Sequence, residues 1–283
     1  MPVALQSYES DVARWESALA APKEALRPYV RRYQGWLEFR PGKNRRREVA
    51  TGDVVLIINL GAPFYVINPR NPSSASVPLG SFVSGVSDSY VFTESDRSMH
   101  CIQVDLTPIG AHLLFGVPMH EMANHELHLE DILGPQARGL DERLYEAGTW
   151  EARFAILDCF IEDRFTLASS PDPGASWALK RLKATGGRAR IGGLATALGS
   201  SDRGLIEAFR EEVGLTPKTI ARIIRFNRVT HLMMEGGPRT WLDIAYDCGY
   251  YDQAHLIHDF KQFAGLTPGE FLVRRATDGP LPD

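Results

Sequence analysis

The sequence predicts a multidomain α+β chain: a β-rich, barrel-like N-terminal domain finished by helices, then an all-α C-terminal domain. Three observations predict it. Short apolar runs in the first half are punctuated by Gly, Pro and Asn, apolar residues fall at helical spacing from Asp141 onward, and one helical unit occurs twice after residue 190.

Size and composition fit that class. At 283 residues, 44% hydrophobic, 23% charged and with a net charge of −4, the chain is outside the disordered, collagenous and strongly basic classes. Its longest apolar runs, such as residues 54–58, are far shorter than the roughly 18 residues a membrane span needs, so no membrane partner and a cytoplasmic location are expected. The three cysteines, Cys101, Cys159 and Cys248, lie far apart and read as small buried hydrophobes rather than a disulfide or metal pair.

The strands come first. Residues 29–39 alternate in part, Val54 to Asn59 is a β-branched run closed by Leu60-Gly61-Ala62-Pro63, and residues 64–68 end at Pro69. Residues 81–86, 90–93 and 100–106 continue the series. Arg45-Arg46-Arg47 follows Pro41-Gly42 and reads as a solvated basic hairpin turn. Leu144, Ala147, Phe154, Leu157 and Ile161 then mark one or two helices.

A run of small, polar and proline residues from Ala168 to Ser176 reads as a linker. The predicted divisions are residues 1–165 for sensing or dimerization, 166–175 for the linker, 176–275 for the helical domain and 276–283 for a tail. Residues 1–170 carry 16 Lys and Arg against 22 Asp and Glu, a net of −6, whereas residues 171–283 carry 15 against 13, a net of +2.

The repeat is the most informative feature. Leu194-Ala195-x-x-x-Gly199 matches Ile244-Ala245-x-x-x-Gly249, and Asp202 matches Asp252, at an offset of 50. At an offset of 51, Leu205 matches Leu256, Phe209 matches Phe260, and Gly214-Leu215-Thr216-Pro217 matches Gly265-Leu266-Thr267-Pro268. Each copy has a short helix ending near a glycine suited to the left-handed conformation and a second helix beginning a few residues later, which is a helix-turn-helix. Between them, Pro217 starts a connector helix whose apolar stripe runs from Ile220 toward Gly236-Gly237-Pro238. About 18 helical residues span about 27 Å, of the order of one turn of B-DNA.

This ordered pattern resembles the DNA-binding domain of the AraC/XylS family of bacterial transcription regulators, over roughly residues 176–275. The first half is similar, more weakly, to the cupin-like effector and dimerization domains of that family. The resemblance implies a sequence-specific, non-enzymatic regulator that needs no cofactor. The candidate partners are double-stranded promoter DNA, RNA polymerase, a small-molecule effector and a second copy of the chain as a homodimer.

Helix-turn-helix proteins read bases from the second helix of each unit and hold phosphates around it. In the first unit Arg203, Ile206, Glu207 and Arg210 face the groove, with Leu205 and Phe209 turned to the core. In the second, Gln253, Ala254, His255, Ile257 and His258 do so, with Leu256 and Phe260 buried. Arginine suits guanine, glutamine suits adenine, and Ile257 suits a thymine methyl. Ser201, Lys218, Arg222, Tyr251 and Lys261 are the phosphate candidates, while the resemblance places Arg225 at the helix-packing junction.

In the first half, Trp36, Phe39, Phe64, Tyr65, Tyr90 and Phe92 are candidates for lining an effector pocket. His120, His125 and His128 with Glu121 and Glu126 form the one cluster that invites a metal, but no His-x-His with a following acid accompanies it, and no metal site is assigned. A tethered metal-binding or catalytic domain, and a domain for oligomerization alone, are the alternatives to sensing.

Overall fold

The structure, a computed structural model, describes residues 2–10, 13–39, 42–71, 77–96, 98–235 and 240–278. Gly236-Gly237-Pro238, Pro41 and residues 279–283 of the expected tail lie outside the described residues.

The first half contains strands β1 (Ala4–Glu9), β2 (Arg14–Ala20), β3 (Val30–Phe39), β4 (Asn44–Glu48), β5 (Val54–Asn59), β6 (Phe64–Ile67), β7 (Pro78–Leu79), β8 (Phe82–Ser84), β9 (Val91–Ser95), β10 (Ser98–Leu106) and β11 (Glu126–His128). They form an antiparallel seven-stranded sheet, β1-β2-β3-β10-β5-β8-β11, and a four-stranded sheet, β4-β9-β6-β7. The two sheets pack face to face and do not close into a barrel. Ile57, Phe82, Met99 and Cys101 of the larger sheet share a core with Phe64, Val66, Leu79 and Val91 of the smaller one.

The other face of the larger sheet is also buried. Leu56, Ile58, Ile102, Val104 and Leu106 join a second core with the helices, so β5 reads as a continuous apolar run because alternate residues enter two different cores. Those helices are α1 (Pro108–Phe115), α2 (Met119–Met122), α3 (Leu129–Leu133), α4 (Pro135–Glu146) and α5 (Trp150–Leu167). Phe154 of α5 stacks on Tyr33 at 5.6 Å, and the buried Tyr33 hydroxyl donates to Asp158 at 2.9 Å. Trp150 fills the space that any side chain at Gly35 would occupy.

The second half holds α6 (Pro173–Ala184), α7 (Ile191–Ala197), α8 (Asp202–Val213), α9 (Pro217–Glu235), α10 (Trp241–Asp247), α11 (Gln253–Ala264) and α12 (Pro268–Asp278). Only residues 168–172 separate α5 from α6, fewer than the linker expected, because Asp172 caps the Ala175 N–H at 2.7 Å and Pro173 is preorganised for a first helical turn. The helix core of this half is continuous with that of the first: Ile220, Ile223 and Phe226 belong to the same buried cluster as Leu114 and Met119.

Two other expectations are corrected. The arginine triplet is strand β4, not a turn: Arg45 and Arg47 lie over the Phe92 ring at 4.1 and 4.5 Å, and this cover compensates for the low strand preference of charged residues. Cys101 and Cys248 are buried, but Cys159 is exposed on α5. Burial pushes the Cys101 thiol up to about 12, which keeps it protonated and unreactive.

Candidate nucleic-acid interface

Each repeat builds the same local structure. Gly199 and Gly249 take the left-handed conformation, with φ of 63° and 80°, and turn the chain from α7 into α8 and from α10 into α11. Ser201 then caps α8, its Oγ accepting the Gly204 N–H at 3.0 Å, and Asp252 caps α11 by accepting the His255 N–H at 2.7 Å. Leu205 and Phe209 anchor α8 in the core, and Leu256 and Phe260 anchor α11. One face of each second helix is thereby fixed and the opposite face is presented outward.

On α8 the outward residues are Arg203, Glu207 and Arg210, with Ser201 exposed at the start and Ile206 half-buried. Arg203 Nε lies 2.8 Å from Glu207 Oε1 across one helical turn. Both side chains are exposed, so solvent screens this pair and the guanidinium can exchange its partner for a base edge at little cost. On α11, Gln253, Ala254, His258 and Lys261 are exposed, while His255 and Ile257 are half-buried. The His255 ring packs edge-on against buried Tyr250 at 5.2 Å. Tyr251 is exposed in the turn before α11, and Lys218 is exposed in the first turn of α9.

Arg222 is placed differently from the phosphate contact expected of it. Its Nη2 and Nε lie 2.6 and 3.1 Å from Asp259 Oδ1, Nη2 also reaches Gln262 Oε1 at 2.6 Å, and the guanidinium covers the Phe263 ring at 5.1 Å. A cation committed in this way to a buried carboxylate is a packing group that ties α9 to α11. Arg225 donates to the Gly187 carbonyl at 2.9 Å and lies over Tyr250, at the junction of α9 with the preceding turn. Arg228 is exposed.

The six aromatics of the first half do not converge on one pocket. Phe64 is in the core between the sheets, Phe39 is 48% exposed, and Tyr90 and Phe92 lie on the outer side under Arg47. Tyr65 alternates with Phe64 and so faces away from that core. Trp36 sits beside a polar group on the inner side of β4, the Arg46 guanidinium 5.6 Å above its ring. Sequence reasoning missed this polar group. Arg46 donates from the smaller sheet to Glu38 of the larger at 2.7 Å, Thr93 donates to Glu48 at 3.1 Å, and Asp105 binds Arg32 and Gln103, each at 2.7 Å. The signal was the period of two in β4, which puts Arg46 and Glu48 on one side and Arg45 and Arg47 on the other.

The histidines also separate. His120 pairs with Glu211 at 3.6 Å, His128 belongs to β11, and among the described residues no three His, Cys, Asp or Glu side chains come together as metal ligands would. Among the described residues no helix is long and apolar enough to cross a membrane.

Residues 194–274 match the family model described as a helix-turn-helix domain, and both repeats lie within that span. The C-terminal domain is an AraC-type helix-turn-helix domain. A helix-turn-helix domain is a DNA-binding unit. Residues 19–128, ahead of it, match a family described as a domain of unknown function. No curated protein matches the chain. Among solved structures, ToxT from Vibrio cholerae is 15% identical with a TM-score of 0.46, covering 82% of this chain and 97% of ToxT. A ToxT structure with bound unsaturated fatty acid is 15% identical with a TM-score of 0.45, covering 89% of this chain and 96% of that one. The AraC-like transcriptional activator CuxR is 12% identical with a TM-score of 0.25, covering 98% of this chain and 85% of CuxR.

Proposed function

We propose that the chain reads promoter DNA with two helices, α8 and α11, entering successive major-groove faces, and that residues 1–165 sense an effector or partner and adjust that binding. The observation that carries the reading is the duplicated unit: the same capped helix, anchored by the same Leu and Phe positions, presents Arg203 and Arg210 in one copy and Gln253 and His258 in the other. Arg203 and Gln253 are the principal base readers, with Ile206, Glu207, Arg210, Ala254, His255, Ile257 and His258 on the same surfaces. Ser201, Lys218, Tyr251 and Lys261 hold phosphates.

For the sensing half, the polar cluster of Glu38, Arg46, Glu48 and Thr93 between the sheets supports an effector site better than the scattered aromatics do, since a pocket needs a few convergent polar groups. Selection of bound fragments from genomic DNA by the full chain at near-physiological salt, followed by sequencing, tests the reading. Enrichment of one motif supports it; fragments bound without sequence preference contradict it.

A further inference from the structure

The two reading helices end in the same four-residue turn, Gly214-Leu215-Thr216-Pro217 after α8 and Gly265-Leu266-Thr267-Pro268 after α11, and both turns rest on the N-terminal domain. Gly214, at φ 97°, packs so closely that a methyl there would stand 2.8 Å from the Met119 carbonyl oxygen and 3.4 Å from the Ala123 Cβ. Beside it, Glu211 faces His120 at 3.6 Å and the buried Glu212 faces His112 at 3.9 Å. Thus α1 and α2 hold the end of α8.

The end of α11 is held by other elements. The last carbonyls of a helix lack partners within it, and here the N-terminal domain supplies them. The Ala50 N–H donates to the Phe263 carbonyl at 3.2 Å, and Arg47 Nη1 donates to the Ala264 carbonyl at 2.9 Å. Gln262 Nε2 donates to the Asp88 carbonyl at 3.1 Å, and the Tyr90 ring lies against Gly265. A cation at this end also complements the helix dipole. Midway, α9 is touched by the same domain, with Asn227 Nδ2 donating to the Thr51 carbonyl at 2.6 Å.

We propose that the N-terminal domain is a bracket that grips both reading helices by their C-terminal turns and thereby sets the spacing and angle between them. The inference rests on α8 and α11 being the reading helices. Within the helical half, α9 is tied to α11 by Arg222–Asp259 and by Phe226 against Phe260 and Phe263; attachments of both reading helices to separate elements of one further domain add two fixed points to that connection. Strand β4 gives the bracket an input. Its Arg47 holds α11 while its Arg46 and Glu48, on the opposite side, meet Glu38 and Thr93 between the sheets. A shift of β4 relative to α1 and α2 moves one reading helix against the other.

The test is a distance measurement on the full chain. Spin labels go on Glu207→Cys and His258→Cys, both exposed, with exposed Cys159 replaced by Ser. Pulsed electron resonance then gives the distance distribution for the parent, for Arg47→Ala, and for the milder Asn227→Ala. The bracket predicts one narrow distribution in the parent that broadens or shifts in Arg47→Ala and, to a smaller degree, in Asn227→Ala. Distributions that superimpose in all three overturn it. The parent, Arg47→Ala and Asn227→Ala chains without the cysteine substitutions and labels also pass through the DNA selection. An unchanged distance with DNA still enriched overturns the bracket and leaves the reading assignment standing. A changed distance with no DNA enriched by any chain supports the bracket as a mechanical element and overturns the reading assignment.

Discussion

The Arg222 guanidinium rests on the Asp259 carboxylate, 2.6 Å from Nη2 to Oδ1, and joins the connector α9 to α11. The Asp259 side chain is 1% exposed, and its other oxygen, Oδ2, has no hydrogen-bond partner among the described residues. Arg222 is therefore the main compensation for a buried charge, and truncating it leaves that charge stranded. Arg222→Ala is expected to destabilise the chain by about 3 kcal/mol, and joint replacement of Arg222 and Asp259 by apolar residues by less. Urea unfolding followed by circular dichroism checks this; a double variant no more stable than Arg222→Ala would count against the pairing.

The proposed base readers and phosphate contacts separate by sequence dependence. Arg203→Ala and Gln253→Ala are each expected to relax preference at one position of the selected motif, with roughly ten-fold loss on the preferred base. Lys218→Ala and Lys261→Ala should weaken all sequences alike and lower the slope of log K against log salt by about one each. Fluorescence anisotropy titrations over a salt series measure both effects.

The local geometry of the two repeats was legible in the sequence, because local rules place it. Ser201, Asp252, Gly199 and Gly249 have conformations fixed within a few residues, and the Leu and Phe anchors follow from helical period. Arg222 was misplaced for the opposite reason. Its partner Asp259 is 37 residues away, and a basic residue on a polar helix face looks the same whether it meets phosphate or a buried carboxylate. Strand β4 was missed because arginine is a poor strand former alone; the aromatic rings and carboxylates that pay for it lie on β3 and β9. A barrel and a pair of facing sheets leave the same trace of short alternating strands, since only the hydrogen-bonded partners differ.

Glu212 predicts a pH dependence. Burial raises its carboxyl above the ordinary value, against the opposing effects of the Asp172 N–H and His112. Proton uptake is then greater in the folded chain, so this group's contribution to stability is full below the unfolded value of about 4.3 and is lost as pH rises through the folded value. Glu212→Gln removes this loss. Melting temperatures of parent and variant across that range should converge on a constant offset at low pH, with the variant gaining relative to the parent as pH rises; a pH-independent difference would contradict the assignment.

The close approach at Gly214 predicts an asymmetry between two glycines of positive φ. Gly116, at φ 68°, has open space where a side chain would go, whereas Gly214 abuts the Met119 carbonyl. Gly116→Ala is expected to cost about 1 kcal/mol from backbone conformation, and Gly214→Ala more. Equal losses in thermal unfolding would mean that the seam gives way.

The central claim is that one chain reads two successive groove faces with α8 and α11. Hydroxyl-radical footprinting of a selected fragment by the full chain tests it most directly. The account predicts two protected patches on one face of the duplex, about one helical turn apart, with Arg203→Ala thinning one patch and Gln253→Ala thinning the other. A single patch, or both substitutions thinning the same patch, would contradict it.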